Sequence, residues 1–346
     1  MTELGISLLG YGLSGRFFHA PLIDAVPGLR LINVMTSQAD AVLQAYPFAA
    51  VLTDPHDAIK DPKVQIVVVA TPNEMHEPLA RAALEAGKHV VVDKPMTTDV
   101  AKADSLIRVA NERGCLLVPY HNRRWDADYR TLCKCLDGGL LGEMRTWESH
   151  YDRYRPTIKD NWRERPAAGS GLLYDIAPHL IDQVLARYGL PDWVAADVQT
   201  QRPDAHVDDY FHLILAWGPM RAILHAGTLV CGTGPRFAVH GTEGSFVKYG
   251  LDAQENALLA GHRPEEADFG VESESQRALV TTALSGIDIS GYVSSERGAY
   301  LRFYELLRDA ITLGGPSPIP AEAGRDVIRV IEAALLSTQT TTQFAP

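Results

Sequence analysis

Residues 6–15 read Ile-Ser-Leu-Leu-Gly-Tyr-Gly-Leu-Ser-Gly, an apolar run that opens directly into G-x-G-x-x-G. Each glycine of such a stretch has its own physical task. Gly10 allows a tight turn, Gly12 lets the backbone approach a pyrophosphate, and Gly15 lets the next helix pack closely on the strand. The helix that follows offers unpaired N–H groups to phosphate oxygens. A lone G-x-G-x-x-G carries little weight. Placed at the tenth residue, behind a strand-like run, it predicts a dinucleotide-binding βαβ unit built on Gly10, Tyr11, Gly12, Leu13, Ser14 and Gly15. Pro21 falls inside the expected helix and should kink or shorten it.

The same pattern continues outward to about residue 120. Leu31–Met35, Gln65–Ala70 and His89–Val92 are short apolar runs, the last two rich in valine. Continuous β-branched runs suit strands buried on both faces, as in a parallel sheet. Between them, Met75–Ala86 and Ala101–Glu112 are helical, stopped by Gly87 and Gly114. This alternation predicts a Rossmann-type doubly wound domain over residues 1–120.

From residue 121 to 346 the period changes. Thr146–Tyr154, Val194–Gln201, Asp209–Trp217, Arg221–Val230, Phe237–His240 and Ser245–Tyr249 alternate or read as strands. Gly218-Pro219-Met220 and Gly241-Thr242-Glu243-Gly244 read as hairpin turns. The expectation is an α+β domain with a large open, mostly antiparallel sheet. Helices are expected over Ile176–Tyr188, Gly298–Thr312 and Ala321–Ser337, with the C-terminal helix free to pack back toward the first domain. Arg263–Gln276 reads as a loop, and the tail, residues 338–346, is small and polar.

Composition narrows the functional classes. The 346 residues, at about 150 per domain, suit roughly two domains. A net charge of −11 argues against nucleic-acid and anionic-membrane partners. No run approaches the length of a membrane span, and the N-terminus lacks a signal-peptide pattern. Cys115, Cys133, Cys135 and Cys231 form no C-x-x-C pair and read as spectator thiols. A soluble cytoplasmic protein is the default expectation.

Cofactor choice is read from the second strand. An NAD site places Asp or Glu about 20 residues beyond the glycines. Here the strand ends Val34-Met35-Thr36-Ser37-Gln38, with no acid. Hydroxyls can bond a 2′-phosphate that a carboxylate would repel, so Thr36 and Ser37 favour NADP, with NAD as the alternative. No cation stands beside Ser37, and Arg16 is the nearest if the chain folds back. Thr36 and Ser37 also read simply as turn residues.

Two groups carry candidate chemistry. Lys94, in Val92-Asp93-Lys94-Pro95, ends a buried-type strand, where ligands of open α/β sheets bind. It equally suits a solvated surface charge, and a cis Lys94–Pro95 bond is open to it. Asp175 and His179 stand four residues apart at a helix start, on one face. Asp175 could instead cap that helix, with Pro178 in its first turn. His206, Asp208 and His212 read as the polar face of a strand. No ligand set convincingly spaced for a metal is present, so none is expected.

Together the glycine loop, Thr71-Pro72-Asn73 with His76, Asp93-Lys94-Pro95 and Gly169-Ser170-Gly171-x3-Asp175-x3-His179-x2-Asp182 resemble the glucose–fructose oxidoreductase/inositol dehydrogenase (Gfo/Idh/MocA) family, over nearly the whole chain. Tyr120–Asp126, Asp152–Pro156, Asn161-Trp162-Arg163 and Val207–Leu213 resemble its NADP-dependent scyllo-inositol dehydrogenase subgroup. The resemblance implies a catalytic group of Lys94, Asp175 and His179. It implies cofactor contacts from Thr71, Pro72, Asn73, His76, Asp93, Lys94, Arg124 and Trp162, and a homodimer or homotetramer through the open sheet. Three positions depart from the family pattern. Asp93 replaces Glu, Ser170 replaces Gly, and Ala177-Pro178 replaces a more flexible pair.

In the mechanism so implied, His179 is general base in oxidation and general acid in reduction. Asp175 orients the substrate, and Lys94 stabilises the developing alkoxide. The alternative gives Lys94 the proton. Tyr151, Arg153, Tyr154, Arg155, Asn161, Trp162 and Arg163 suit a hydroxyl-rich substrate, and Asn122, Tyr154 and Arg155 join Lys94, Asp175 and His179 as substrate-binding residues. A reductase of another carbonyl or imine, and a non-catalytic dinucleotide sensor, are the rival readings.

Overall fold

The computed structural model describes residues 3–159, 162–232, 234–284 and 286–338. Asn161 and the tail beyond Thr338 therefore lie outside the described residues. In chain order the first elements are β1 (Leu4–Leu9), a π-helical turn (Ser14–His19), α1 (Ala20–Ala25), β2 (Leu29–Met35), α2 (Ala39–Ala45), β3 (Ala50–Leu52) and α3 (Pro55–Lys60). There follow β4 (Ile66–Val69), α4 (His76–Glu85), β5 (His89–Val92), α5 (Val100–Arg113), β6 (Leu117–Pro119) and α6 (Ala127–Asp137). Next come β7 (Met144–His150), α7 (Gly171–Tyr188), β8 (Trp193–Gln199), β9 (Tyr210–Trp217), β10 (Met220–Gly227), β11 (Phe237–Gly241) and β12 (Gly244–Lys248). The last are α8 (Gln254–Leu259), β13 (Ala278–Leu284), β14 (Ile287–Val293), α9 (Leu301–Leu313) and α10 (Ala321–Thr338).

The chain forms two compact units. Among the described residues, the first comprises those up to 125, 254–270 and 299–325; the second comprises those within 126–253, 271–298 and 326–338. The division is thus not two consecutive segments: the chain returns twice to the first unit.

In the first unit six parallel strands lie in the order β3-β2-β1-β4-β5-β6. The valine runs explain why this sheet is covered on both faces. Ile66 and Val68 point into one apolar cluster with α9 residues Phe303, Tyr304 and Leu307. Val67 and Val69 point into another with Leu79, Ala83 and Leu106 from α4 and α5. Burying each such side chain stabilises the fold by about 1.5–3 kcal/mol. Helix ends follow local chemistry. Asp99 accepts the Lys102 N–H at 2.8 Å to start α5, and Gly114, at φ +63°, ends it.

Pro21 acts where expected, but by widening the helix ahead of it. The Ala20 N–H bonds Gly15 O across a π-helical turn, and Pro21 then opens α1.

The second unit holds an eight-stranded sheet, β14-β13-β12-β11-β7-β10-β9-β8, antiparallel except for the parallel pair β7–β10. Helix α7 packs on β9 and β10. Trp147, Phe211, Leu213, Leu224, Phe237 and Phe246 are buried within the unit. Three details correct the sequence reading. Met220 pairs with Trp217, so the hairpin turn is Gly218-Pro219 alone. Strands β13 and β14 extend the sheet beyond the strands expected. Helix α7 begins at Gly171, five residues before the expected Ile176, so Asp175 is not its cap and Pro178 lies inside it.

Candidate active site and cofactor cradle

In the first unit the carboxyl ends of the parallel strands gather most of the expected cofactor residues. Gly10 follows β1, Thr36 and Ser37 follow β2, Thr71–Asn73 follow β4, and Asp93 and Lys94 follow β5. Asn122 and Arg124 sit in the short helical turn after β6. The strand order reverses between β1 and β4, the topological switch point where such parallel sheets bind ligands.

The glycines have the geometry their tasks require. Gly10 adopts φ +101°, and a Cβ there would stand 2.4 Å from Ala70 O. A Cβ on Gly15 would stand 2.0 Å from Gly10 O, so only glycine allows the helix to approach. A Cβ on Gly12 would meet nothing within 4 Å. The loop is therefore closed at its first and third glycines and open at its second, which fits a dinucleotide pyrophosphate.

Beneath this edge lies a polar layer. His76 is buried, its Nδ1 2.8 Å from Pro95 O and its Nε2 2.9 Å from Thr71 O. Its ring thus braces the loop after β4 against the loop after β5. Burial pushes its pKa down, against the pull of Asp93 and the two carbonyls. The Lys94–Pro95 peptide is cis. Asp93 accepts the Lys94 N–H at 2.8 Å and lies 3.9 Å from His19 Nε2. Burial would raise the Asp93 pKa, but His19, the Ser14 hydroxyl and His76 together hold it well below the carboxylate range. His19 is itself fully buried, with Nδ1 2.6 Å from the Tyr304 hydroxyl. Tyr120 donates to Phe18 O at 2.6 Å and its ring packs on His19 with centroids 4.1 Å apart. Sequence reasoning missed His19 and Tyr304, and quoted Tyr120 only as the first residue of a motif. His19 and Tyr304 stand 285 residues apart, so no local spacing could join them. Thr36 Oγ1 accepts the Gln38 N–H at 3.1 Å, and Ser37 is exposed.

In the second unit, α7 carries Asp175 and His179 one turn apart. Its start is set from far along the chain. Asp208 accepts the Leu173 N–H through Oδ2 at 2.6 Å and the Leu172 N–H through its backbone oxygen at 2.9 Å. Gly171 adopts φ +88°, and a Cβ there would meet Asp208 Oδ1 at 2.1 Å. Ser170 Oγ both accepts the Ala167 N–H and donates to Ala167 O. Burial raises the Asp208 pKa to about 6, against the helix N–H groups that favour its carboxylate. His206 and Asp208 precede β9, so they do not share a strand face with His212.

A cavity of about 80 Å³ lies against the head of α7, lined by Arg153, Arg155, Arg163, Asp175, Arg202 and Asp208 among others. Arg163 Nε lies 3.3 Å from Asp175 Oδ1, and its guanidinium stands over the Trp162 ring at 4.5 Å. Arg202 is buried between Glu164 (2.7 Å) and Asp209 (2.8 Å) and stiffens the wall. Of the polar-aromatic stretch, Tyr154 is exposed but Tyr151 is buried between the guanidiniums of Arg153 and Arg236, which removes Tyr151 from the substrate-facing set. His179 is buried, at 7% exposure.

A Rossmann sheet with an open glycine cradle, joined in one chain to an open antiparallel sheet with an Asp-x3-His helix, defines an NAD(P)-binding oxidoreductase. Comparison with known proteins agrees. Residues 4–121 match the NAD-binding Rossmann fold of an oxidoreductase family, and residues 133–345 match that family's C-terminal alpha/beta domain. The chain belongs to the Gfo/Idh/MocA oxidoreductase family. It is 40% identical over 339 residues to scyllo-inositol 2-dehydrogenase (NADP(+)) IolW of Bacillus subtilis, covering 98% of this chain and 95% of that protein. It is 42% identical to the uncharacterized oxidoreductase YdgJ of Escherichia coli, covering 97% of each. The solved structure of yvaA from Bacillus subtilis matches with a TM-score of 0.95 at 40% identity, covering 98% of this chain and 97% of that one. No helix among the described residues is long and apolar enough to cross a membrane.

Proposed function

We propose that this protein is an NADP-preferring dehydrogenase of a cyclic polyol, an inositol such as scyllo-inositol, interconverting a ring hydroxyl and its ketone. The observation that carries the reading is the hydrogen-bonding pocket at the head of α7, where Asp175 stands among Arg153, Arg155 and Arg163. Full-length similarity to an NADP-dependent scyllo-inositol dehydrogenase supports it. The absence of a carboxylate at Thr36-Ser37-Gln38 supports NADP over NAD.

When bound, the nicotinamide supplies the hydride acceptor or donor. The residues proposed to hold the cofactor are the Gly10–Gly15 loop, Thr36, Ser37, Thr71–Asn73 and Lys94, with Arg124 and Trp162. His179 takes the hydroxyl proton in oxidation and returns it in reduction. Asp175, held by Arg163, binds neighbouring hydroxyls. Lys94 donates to the reacting oxygen and offsets the charge that develops there. His179→Ala should lower kcat by about 10²–10⁴-fold. Four free cysteines suit a reducing cytoplasm. The exposed Ile287, Ile289 and Tyr292 of β14 support a homodimer or homotetramer contact through the open sheet.

The test is the initial rate at the nicotinamide absorbance band, with NADP and NAD in parallel against scyllo-inositol, myo-inositol, glucose and xylose. NADP-dependent turnover of an inositol is expected. Faster turnover with NAD overturns the cofactor choice. Tight NADPH binding without turnover on this panel or its ketones overturns the substrate class.

A further inference from the structure

Away from the α7 pocket, the eight-stranded sheet carries a row of histidines in cross-strand register. His212 on β9 pairs with His225 on β10, and His225 pairs with His150 on β7. Directly paired residues project from the same face of a sheet, so the three rings stand side by side. Their centroids are 5.6 Å and 5.4 Å apart. Asp152, two residues beyond His150, reaches both neighbours. Its Oδ1 lies 3.3 Å from His225 Nε2 and its Oδ2 lies 3.7 Å from His150 Nδ1. The Gly227 N–H donates to Oδ1 at 3.0 Å and fixes the carboxylate.

We propose that His150, Asp152 and His225 bind a divalent transition-metal ion, zinc in the first place. One ligand atom from each residue lies within 4.8 Å of the others, and all three side chains are half-buried. In a tetrahedral zinc site, bonds near 2.0–2.2 Å place ligand atoms about 3.4 Å apart. The 3.3 Å and 3.7 Å pairs use the two different oxygens of Asp152, and the three ligand atoms lie within 4.8 Å of one another, so rotation of the side chains onto a common centre closes the site. Two imidazoles and one carboxylate favour zinc, nickel or copper over magnesium and calcium, which prefer all-oxygen shells. Solvent completes the coordination. The Gly227 contact supplies the outer hydrogen bond that orients a ligating carboxylate. The ion would also fix a functional wall. Asp152 belongs to the segment that sends Arg153 and Arg155 into the α7 pocket.

The test is independent of any catalysed reaction. Full-length protein, stripped with a chelator, is titrated near neutral pH with zinc chloride and, separately, with magnesium chloride by calorimetry. One equivalent of zinc is expected to bind and to raise the melting temperature, with no response to magnesium. Cobalt(II) should give the visible bands of a tetrahedral site. His150→Ala and Asp152→Asn should each weaken zinc binding by about 100-fold or more, beyond the loss typical of outer-sphere changes. His262→Ala, at an exposed histidine paired with Glu266, should leave it unchanged. No saturable zinc binding, affinity unaltered in His150→Ala and Asp152→Asn, or a cobalt spectrum without tetrahedral bands would each overturn the proposal. The wild-type cobalt spectrum decides the matter even if a variant fails to fold.

Discussion

The carboxyl edge of the parallel sheet and the head of α7 both depend on glycine, for opposite reasons. At the sheet edge, Gly10 and Gly15 let backbone meet backbone, and Gly12 leaves space in front of the loop. At α7, Gly171 makes room for a side chain, the Asp208 carboxylate that starts the helix. In the first arrangement the three glycines stand within six residues of sequence, and the Gly15–Gly10 approach is local, although Gly10 itself meets the Ala70 backbone. The second joins positions 35 residues apart between Leu173 and Asp208. A site made of backbone is written in a motif; a site made by one long-range carboxylate is not.

Gly15→Ala should have the largest effect. Its Cβ would lie 2.0 Å from a backbone oxygen that has no rotamer to move away. We expect a loss of about 4 kcal/mol or more, read from chemical denaturation of the purified variant. A denaturation midpoint close to wild type would show that the β1–helix junction can slide, and the local account of the loop would fail.

Gly171→Ala tests the other region. Here the obstacle is a side-chain oxygen at 2.1 Å, and the backbone is at φ +88°. The conformational cost for a non-glycine residue and the collision together should destabilise by about 3 kcal/mol. Shortening nothing but the charge, as in Asp208→Asn, should not rescue it, because the same atom count remains. Recovery of stability in the double variant Gly171→Ala/Asp208→Asn would mean that charge, not space, governs this helix start.

Asp208 itself carries a pH signature. Its folded pKa is raised to about 6 by burial, above an unfolded value of about 3.9. Below the unfolded value both states hold the proton and the group costs nothing. As pH rises toward 6 the unfolded chain releases its proton first, so folding stability falls. At about 1.4 kcal/mol per unit, the loss approaches about 3 kcal/mol and then levels off. Asp208→Asn keeps an oxygen for the Leu173 N–H and removes the titration. The wild-type minus variant stability difference should therefore decline from pH 4 to pH 6. A difference that is flat or rises over that interval would exclude a raised pKa.

The contrast between the regions also explains what could be read in advance. Gln65–Ala70 and His89–Val92 announced a sheet buried on both faces because their isoleucine and valine side chains are placed by apolar packing. The polar layer under that sheet was hidden, since His19, Tyr304 and Asp93 meet only after α9 is folded into the first unit. The start of α7 was placed too late because Asp175 reads in isolation as a cap and Pro178 as a first-turn residue. Asp208 takes the capping role instead by accepting the first N–H groups of the helix. Asp175 and His179 were legible as a pair, but Arg163, which holds Asp175, was read only as one of several polar residues.

Gly12→Ala should have the smallest effect on the fold, and it separates folding from binding. A Cβ at this position meets nothing within 4 Å, so stability should stay within about 0.5 kcal/mol of wild type. The same methyl group would occupy the open side of the loop, where the pyrophosphate is expected. Crowding there of about 1–3 kcal/mol corresponds to dinucleotide affinity reduced by about tenfold or more. The two quantities are measured on one sample, by denaturation and by NADPH fluorescence titration. If stability and affinity fall together, Gly12 is structural like Gly15, and the closed–open–closed order of the loop is wrong. If neither falls, the pyrophosphate does not cross this residue. Only weakened binding on an intact fold is consistent with a loop whose middle glycine belongs to the ligand rather than to the protein.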